Sequence, residues 1–203
     1  PSGTQPRIPN VSIRSMRAKH ILPIFALALW LTSASQTPTP AAKGIESRVI
    51  RTAAGDLVLV QEVQVDAPVA EVWKAYTTEE GWKAWASPVV EVDLTTGGTI
   101  RTHYEPEAKV GDPGTNVLHI INYVPERLLT LQAEVHERWP AIMKEDAEHL
   151  MNTIVFEPLG EERTRILSYG VGYKATPAYD ELMKFFIPAN ESLFAKLKEY
   201  LES

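Results

Sequence analysis

Residues 65–88 read VDAPVAEVWKAYTTEEGWKAWASP, and this stretch turns a strand into two short helices. Pro68 suits a first helical turn, where the backbone N–H that it lacks would have no partner. The apolar residues that follow recur at helical spacing: Val69, Val72, Trp73 and Tyr76. Residues 77–80 (TTEE) have the pattern of a capping box, which predicts a second short helix carrying Trp82 and Trp85.

Strands are predicted on both sides of this stretch. Upstream, apolar residues alternate between Leu57 and Val65, as expected for a half-buried strand. Downstream, three pairs of strands are predicted: 89–94 with 99–104, 116–124 with 128–134, and 151–157 with 163–171. The segment 135–150 has no clean strand pattern, and a lid, an extra helix and a surface loop all fit it.

The end of the chain is predicted to be a long helix. Thr176 can cap it and Pro177 fits its first turn. One apolar stripe runs along it, formed by Leu182, Phe186, Ala189, Leu193 and Leu197. Pro188 removes a backbone hydrogen bond inside the helix, so we expect a kink or a break near Lys184.

This order of elements predicts an α+β fold. A run of strands with the helices kept apart from it is typical of an antiparallel sheet. The sheet must bury one face, and the last helix is the long amphipathic element that can cover it. We therefore expect a curved antiparallel sheet of about six to seven strands wrapped around a long C-terminal helix, with two short helices after the first strand.

Several phrases of the sequence, in order, resemble a known superfamily. They are the stretch 65–88 above, EVDLTTGG at 91–98, YVPERLL at 123–129, FEPLGEERTRI at 156–166 and ESLFAKLKEYLE at 191–202. Residues 56–203 thereby resemble the START-like or SRPBCC superfamily, which has the helix-grip fold. Within it, the likeness is to the branch related to the activator of the heat-shock-protein ATPase.

The resemblance implies an apolar cavity between sheet and helix. Members of this superfamily bind lipids, hormones, polyketides and other apolar small molecules, and some are cyclases or dehydratases. A co-chaperone role transfers poorly, because an exported domain would not meet a cytosolic chaperone. One fold supports many functions, so the function has to be argued from the site.

The N-terminal part predicts export. Residues 1–15 show no hydrophobic period and are interpreted as an artificial or mis-assigned upstream segment. Residues 16–35 have the pattern of a signal peptide, with a basic start, a short apolar run and small residues before the cleavage site. The apolar run is too short to span a bilayer, so no stable membrane anchor is expected after cleavage. Residues 36–55 are interpreted as a flexible leader, and residues 56–203 as the START-like domain.

Charge and composition narrow the classes of partner. Four of the 20 Lys and Arg residues lie before residue 36, which leaves 16 against 26 acidic residues and a net charge of −10. Such a balance repels phosphate backbones, so no nucleic-acid partner is expected. The chain has no cysteine, which excludes thiol catalysis and cysteine-based metal sites. The sequence leaves the oligomeric state undetermined.

Strand alternation predicts the lining of the cavity. If Ile100, Ile120, Ile154 and Ile166 face inward, their neighbours two residues away do so as well. The expected ligand-binding residues are Trp85, Thr102, Tyr104, Asn122, Asn152, Ser168 and Phe186. An apolar lining with a few neutral polar groups suits a ligand with an apolar body and one or two polar handles.

A register shifted by one residue would give a different pocket. It would point Arg101, His103, His119 and Tyr169 inward and make the cavity cationic and more enzyme-like. The histidines show no metal-binding spacing, and no catalytic constellation stands out, so neither a metal, a cofactor nor a catalytic residue is predicted.

The hypothesis from the sequence is therefore an exported START-like domain, periplasmic or secreted, that binds a small apolar molecule such as a lipid or polyketide. We expect a binding protein rather than an enzyme. The first alternative is a cyclase or dehydratase that uses an acid–base group of the cavity, carried by His103, His119 or Arg101. The second is a protein-interaction module whose cavity is filled by side chains.

Overall fold

The computed structural model describes residues 44–136 and 139–203. The predicted upstream segment, the signal peptide and most of the leader lie outside the described residues. The strands are β1 (Ile45–Arg51), β2 (Asp56–Val65), β3 (Val89–Val92), β4 (Thr99–His103), β5 (Asn116–Val124), β6 (Leu128–Ala133), β7 (Met151–Pro158) and β8 (Thr164–Lys174). The helices are α1 (Val69–Thr77), α2 (Glu79–Trp85), α3 (Ala141–Glu145) and α4 (Pro177–Leu201).

All eight strands form one antiparallel sheet in the order β1-β2-β8-β7-β6-β5-β4-β3. Pairing of β2 with β8 joins the first part of the chain to the last. The sheet curves around α4, and the apolar core lies between them. The predicted α+β helix-grip class is confirmed, with eight strands instead of six or seven.

Strand β1 corrects the prediction of a flexible leader over residues 36–55. It pairs with β2 from Ile45 opposite Val63 to Arg51 opposite Leu57. Ile45 is its one buried residue, and Val49 and Ile50 are exposed. Because β1 is an edge strand with little buried surface, its sequence lacks the alternation that indicates a half-buried strand.

The two short helices form where the stretch 65–88 predicts them. The hydroxyl oxygen of Thr78 accepts a hydrogen bond from the backbone N–H of Gly81 at 3.0 Å, so Thr78 caps α2 as predicted. A Cβ atom on Gly81 would lie 2.5 Å from the backbone oxygen of Lys74. Glycine is therefore required for α2 to turn back this closely onto α1.

Helix α4 begins as predicted, with the Thr176 side chain accepting from the backbone N–H of Tyr179 at 3.5 Å. The helix continues through Pro188, so the expected break is not present. Its buried stripe is Tyr179, Met183, Phe186, Asn190, Phe194 and Leu197. This buried face is rotated about the helix axis relative to the predicted stripe. The prediction considered apolar residues alone and therefore left out the buried polar residue Asn190.

Candidate functional site

A cavity lies between the inner face of the sheet and α4, closed at its sides by α2 and by residues near Trp139. It offers about 60 Å³ to the centres of water-sized molecules. Its lining is Tyr76, Trp82, Trp85, Ala86, Thr102, Tyr104, Asn116, Val117, Leu118, Leu131, Ala133, Glu134, Trp139, Asn152, Ile154, Ser168, Asn190, Leu193 and Phe194. This volume is smaller than the roughly 150 Å³ of a cavity that binds benzene and corresponds to about two water molecules, so a ligand of that size requires the walls to move apart.

Aromatic rings form one wall of the cavity. The indole N–H of Trp82 donates to the backbone oxygen of Tyr76 at 2.7 Å, and that of Trp85 donates to the oxygen of Ala75 at 3.0 Å. The ring of Trp85 lies 5.3 Å from that of Tyr76 and 5.4 Å from that of Trp82. Because the polar edges of both indoles are bonded to the backbone, the rings contribute apolar surface to the wall.

A pair of polar residues on neighbouring strands lies in the sheet floor. The Nδ2 group of Asn152 in β7 donates to Ser168 Oγ in β8 at 2.8 Å. Both side chains are buried, at 3% and 5% exposure. The Oδ1 atom of Asn152 has no hydrogen-bond partner among the described residues. The floor therefore contains a buried amide oxygen whose hydrogen-bonding capacity is unsatisfied.

A second polar residue, Asn190, comes down from α4. Its Nδ2 group donates to Gln61 Oε1 at 2.7 Å, and Gln61 Nε2 donates to Ser47 Oγ at 3.0 Å and to the backbone oxygen of Ile187 at 3.5 Å. Gln61 is 1% exposed, and Asn190 Oδ1 has no partner in the described part of the chain. This network links α4 to β1 and β2 and leaves a second buried amide oxygen unsatisfied.

The other end of the cavity carries Thr102, Tyr104 and Asn116. Burial raises the pKa of Tyr104 to about 12, which its interaction with the Thr102 hydroxyl offsets in part. The Tyr104 hydroxyl is therefore protonated at neutral pH and acts as a neutral hydrogen-bonding group. The Nδ2 group of Asn116 has no partner within the described ranges.

Of the seven predicted ligand-binding residues, the structure brings five together at the cavity: Trp85, Thr102, Tyr104, Asn152 and Ser168. Their orientation agrees with the alternation from which they were predicted. Whether they bind a ligand stays a prediction.

Asn122 does not face the cavity, and its predicted orientation is wrong. A β-bulge interrupts the pairing of β5 with β6: Ile120 pairs with Leu131, and the next pair is Asn122 with Thr130. The extra residue reverses the alternation beyond it. Asn122 is therefore exposed, while the next residue, Tyr123, packs its ring against Trp73 at 6.1 Å.

Phe186 also lies away from the cavity lining. It is buried at 5% exposure on α4, and its ring centre lies 6.0 Å from that of Tyr173. It therefore belongs to the core between α4 and β8, one to two turns before the cavity-lining residues of the same helix.

The residues of the shifted register do not line the cavity. Arg101 pairs with Glu91 at 2.5 Å on the exposed side, and His119 Nε2 lies 3.4 Å from a carboxylate oxygen of Glu134. His103 is buried, but its Nδ1 accepts from the backbone N–H of Glu105 at 3.1 Å beneath the following loop. Tyr169 is half-buried outside the lining. The enzyme-like register is therefore not the one that the chain adopts.

The segment 135–150, left open by the sequence, forms part of the enclosure. It contains α3, and Trp139 and Met143 are buried in the core, with Trp139 also lining the cavity. Asp146 is 2% exposed and accepts hydrogen bonds from the hydroxyl of Tyr179 and the ammonium of Lys174. The segment is thus tied down at both ends of α3 and acts as a wall.

Sequence reasoning missed Gln61, Trp139 and Asn190. Gln61 could have been found, because it is in phase with Leu59 and Val63 on the inward face of β2. Nothing in the local pattern around Trp139 indicates that it reaches the cavity, since that contact depends on how the segment folds back over the sheet.

Within residues 44–136 and 139–203, no group of three or more His, Asp or Glu side chains could hold a metal ion. In the same ranges, no helix is both long enough and apolar enough to cross a membrane.

The chain was compared with models of known protein families and with curated protein sequences. The model of the family described as activator of Hsp90 ATPase homolog 1-like protein matches residues 66–202. The chain belongs to this family. The match covers the two short helices, β3 to β8 and α4. A search of curated protein sequences finds no significant match.

Several solved structures are similar in fold to this chain. The Aha1 dimer from Colwellia psychrerythraea has a TM-score of 0.54 at 15% identity, covering 71% of this chain and 96% of the other. CalU16 from Micromonospora echinospora has a TM-score of 0.53 at 19% identity, covering 77% and 83%. A protein from Mycobacterium smegmatis reaches 0.56 at 16% identity, covering 77% and 96%. Identities this low show the fold alone.

Proposed function

We propose that this chain binds a small apolar molecule in the cavity between the sheet and α4. The observation that carries the proposal is the lining: aromatic and aliphatic walls with a few neutral polar groups, with the charged Glu134 confined to the exposed edge. Such a surface suits an apolar body that is oriented by one or two hydrogen bonds. Removing apolar surface from water would supply roughly 25 cal/mol per Å² of buried area.

The catalytic alternative needs an acid–base group at the cavity. The candidates from the sequence were His103, His119 and Arg101, and all three lie outside the lining. Among the described lining residues, the carboxylate of Glu134 is 64% exposed at the edge, beside His119. Binding is therefore the function that the site supports better.

A titration with a graded series of neutral apolar probes tests this proposal. The series runs from toluene through indole to N-phenyl-1-naphthylamine, so that it covers both the closed cavity and one widened by movement of its walls. A ligand that binds only the folded state stabilises it by RT ln(1 + [L]/Kd) and so raises the melting temperature, which gives a common measurement for all probes. If no member of the series stabilises the protein, the proposal is wrong.

A matched pair of variants locates the binding. Ala133 lines the cavity at 9% exposure, and Ala84 is exposed on α2. Ala133→Leu places an isobutyl group in the cavity and should weaken probe binding by at least about 10-fold, which is about 1.4 kcal/mol. Ala84→Leu makes the same change on the surface and should leave affinity within about twofold. Equal affinities of the two variants would place the probe elsewhere.

We also propose that the protein is exported by the signal peptide predicted at residues 16–35. The support is the pattern of a basic start, a short apolar run and the small residues Thr32-Ser33-Ala34. Intact-mass measurement of protein from its own host should give a mature chain starting at Ser35 or Gln36. A mass that retains residues 16–34 would contradict export by cleavage.

A further inference from the structure

We propose that two copies of this chain associate through their β1 strands, which pair antiparallel about a twofold axis and join the two sheets into one. Strand β1 (Ile45–Arg51) is an edge of the eight-stranded sheet, so one side of its backbone has no partner strand among the described residues. The surface lies outside the cavity lining, and the inference is independent of the proposed ligand binding.

The pairing of β1 with β2 determines which backbone groups face the open edge. At one end, the N–H of Gln64 donates to the backbone oxygen of Gly44 at 3.4 Å. At the other end, the N–H of Thr52 donates to the backbone oxygen of Asp56 at 2.8 Å. Because hydrogen bonding alternates along an antiparallel strand, the even-numbered residues of β1 bond to β2. The odd-numbered residues present their N–H and C=O groups at the open edge: Ile45, Ser47, Val49 and Arg51.

This edge lacks several features that prevent edge strands from associating. Strand β1 contains neither proline nor lysine, and its pairing with β2 runs without a bulge from Ile45 to Arg51. Val49 is 41% exposed and Ile50 is 44% exposed, on opposite faces of the strand. Such a strand is a template on which a further strand can pair.

The charges of β1 require a partner of opposite sign at the edge. Glu46 and Arg48 are exposed on the same face, and neither forms an ion pair with another described residue. Glu46 lies opposite Glu62 of β2, and like charges directly opposite each other destabilise a sheet. Glu62 has Arg165 at 3.8 Å, whereas Glu46 has no such neighbour. A cation on the open side of Glu46 would offset the repulsion.

A second copy supplies this cation in one register. A twofold axis perpendicular to the sheet keeps each face continuous, so residues that meet across the axis are both odd-numbered or both even-numbered. Centring the axis on Ser47 places Glu46 opposite Arg48 of the second copy, twice, and Val49 opposite Ile45. Centring it on Arg48 would oppose two arginines, and centring it on Val49 would leave Glu46 without a charged partner.

The Ser47-centred register also pairs the backbone groups at the edge. Ile45 with Val49, Ser47 with Ser47, and Val49 with Ile45 become hydrogen-bonded pairs, each with two backbone hydrogen bonds. The same contacts cover part of the exposed Val49 side chain. Seven residues of β1 on each side compare with roughly 20–30 residues a side in a standard interface, so we expect a weak dimer in exchange with the monomer.

Charge reversal at the two exposed positions tests this register. The full chain is compared with Glu46→Arg, Arg48→Glu and the double variant by sedimentation velocity at low salt, where surface charges interact most strongly. Each single variant places like charges opposite each other twice, so the dimer should weaken about 10-fold or more. The double variant exchanges the two signs and should dimerise within about threefold of wild type.

Mixing the two single variants gives a more selective test. The Glu46→Arg chain carries two positive charges at these positions and the Arg48→Glu chain carries two negative charges, so the mixed dimer pairs opposite signs. The mixture should therefore associate more tightly than either variant alone. Glu107→Arg and Arg163→Glu make the same changes of net charge in exposed loops outside β1. These controls should each dimerise as wild type does, and mixing them should give no gain.

Hydrogen exchange of wild type locates the interface without any substitution. The amides of Ile45, Ser47 and Val49 should gain protection as the protein concentration rises, while those of Arg48 and Ile50, which already bond to β2, should not change. A monomer at all concentrations up to about 1 mM would overturn the inference. So would a dimer that is insensitive to both charge reversals, or one that leaves the edge amides unprotected. None of these outcomes affects ligand binding in the cavity.

Discussion

The hydroxyl of Tyr179 donates to a carboxylate oxygen of Asp146 at 3.0 Å, and both side chains are almost completely buried. Tyr179 lies in the first turn of α4, and Asp146 directly follows α3. The ammonium of Lys174, at the end of β8, binds the other oxygen of the same carboxylate. One buried carboxylate therefore ties the wall segment 135–150 to both the sheet and the long helix.

This contact predicts coupled destabilisation in Tyr179→Phe and Asp146→Asn. Loss of a hydrogen bond to a charged group should lower the free energy of unfolding by about 1.5–3 kcal/mol in Tyr179→Phe. The double variant should lose less than the sum of the single losses, because both remove the same interaction. Urea unfolding of the four proteins measures the coupling. Tyr200→Phe, on the exposed end of α4, is the control and should change stability by less than about 0.5 kcal/mol.

The pH dependence of the same contact has a defined sign. The hydrogen bond from Lys174, with that from Tyr179, lowers the pKa of Asp146 below its ordinary value of 3.8 despite burial. The stabilisation is therefore complete above pH 3.8 and is lost as the pH falls through the lowered pKa of the folded state. Unfolding measured at pH 7, 5, 4 and 3 should show wild type losing its advantage over Asp146→Asn only below about pH 4. A difference that grows toward acid would contradict the assignment.

The sequence alternation predicts which residues face inward from the sheet, except beyond the β-bulge in β5. Alternation around Ile100 and Ile154 placed Thr102 and Asn152 at the cavity correctly, because burial on one face fixes the register of a strand. At Ile120-Ile121 two identical residues are adjacent, and the sequence does not indicate which one is the extra residue of a bulge. Every orientation beyond that point in β5 was therefore reversed, and Asn122 was assigned to the wrong face.

The parts that sequence reasoning missed depend on contacts between distant segments. Trp139 and Asp146 lie in a segment without periodicity, and their burial arises from packing against residues far away in the chain. Asn190 breaks the apolar stripe of α4 and is nevertheless buried, where Gln61 on β2 accepts a hydrogen bond from its Nδ2 group. Periodicity identifies helix and strand faces that are apolar throughout. The missed residues lie where the apolar periodicity is interrupted, at Asn190, or absent, at Trp139.

The wall formed by Trp139 predicts a kinetic effect. Trp139 lines the cavity from the wall segment, so its truncation should open a path for the ligand. We expect Trp139→Ala to accelerate release of a bound apolar probe by about 10-fold or more, and to lower stability by about 3–5 kcal/mol. Stopped-flow displacement measures release. Trp73→Ala, which removes a ring that packs against Phe156 and not at the cavity, is the control and should destabilise without faster release.

Gly172 controls how closely the wall segment approaches β8. It has a φ of +90°, and a Cβ atom there would lie 2.0 Å from the backbone oxygen of His149. Backbone atoms cannot turn aside as a flexible side chain can, so alanine at this position must push the end of the wall segment away from the sheet. Gly55 has a φ of +92° with nothing within 4 Å of its Cβ position, which makes it a matched control for backbone strain alone.

Both glycine variants should lose about 1–2 kcal/mol from the left-handed backbone conformation. Gly172→Ala should lose more, and the excess measures the contact between His149 and β8. Because the displaced segment carries Trp139 and Asp146, we also expect Gly172→Ala, and not Gly55→Ala, to weaken apolar-probe binding and to expose amides of residues 141–150 to hydrogen exchange. Equal stability losses and equal exchange in the two variants would show that the wall segment does not depend on this approach.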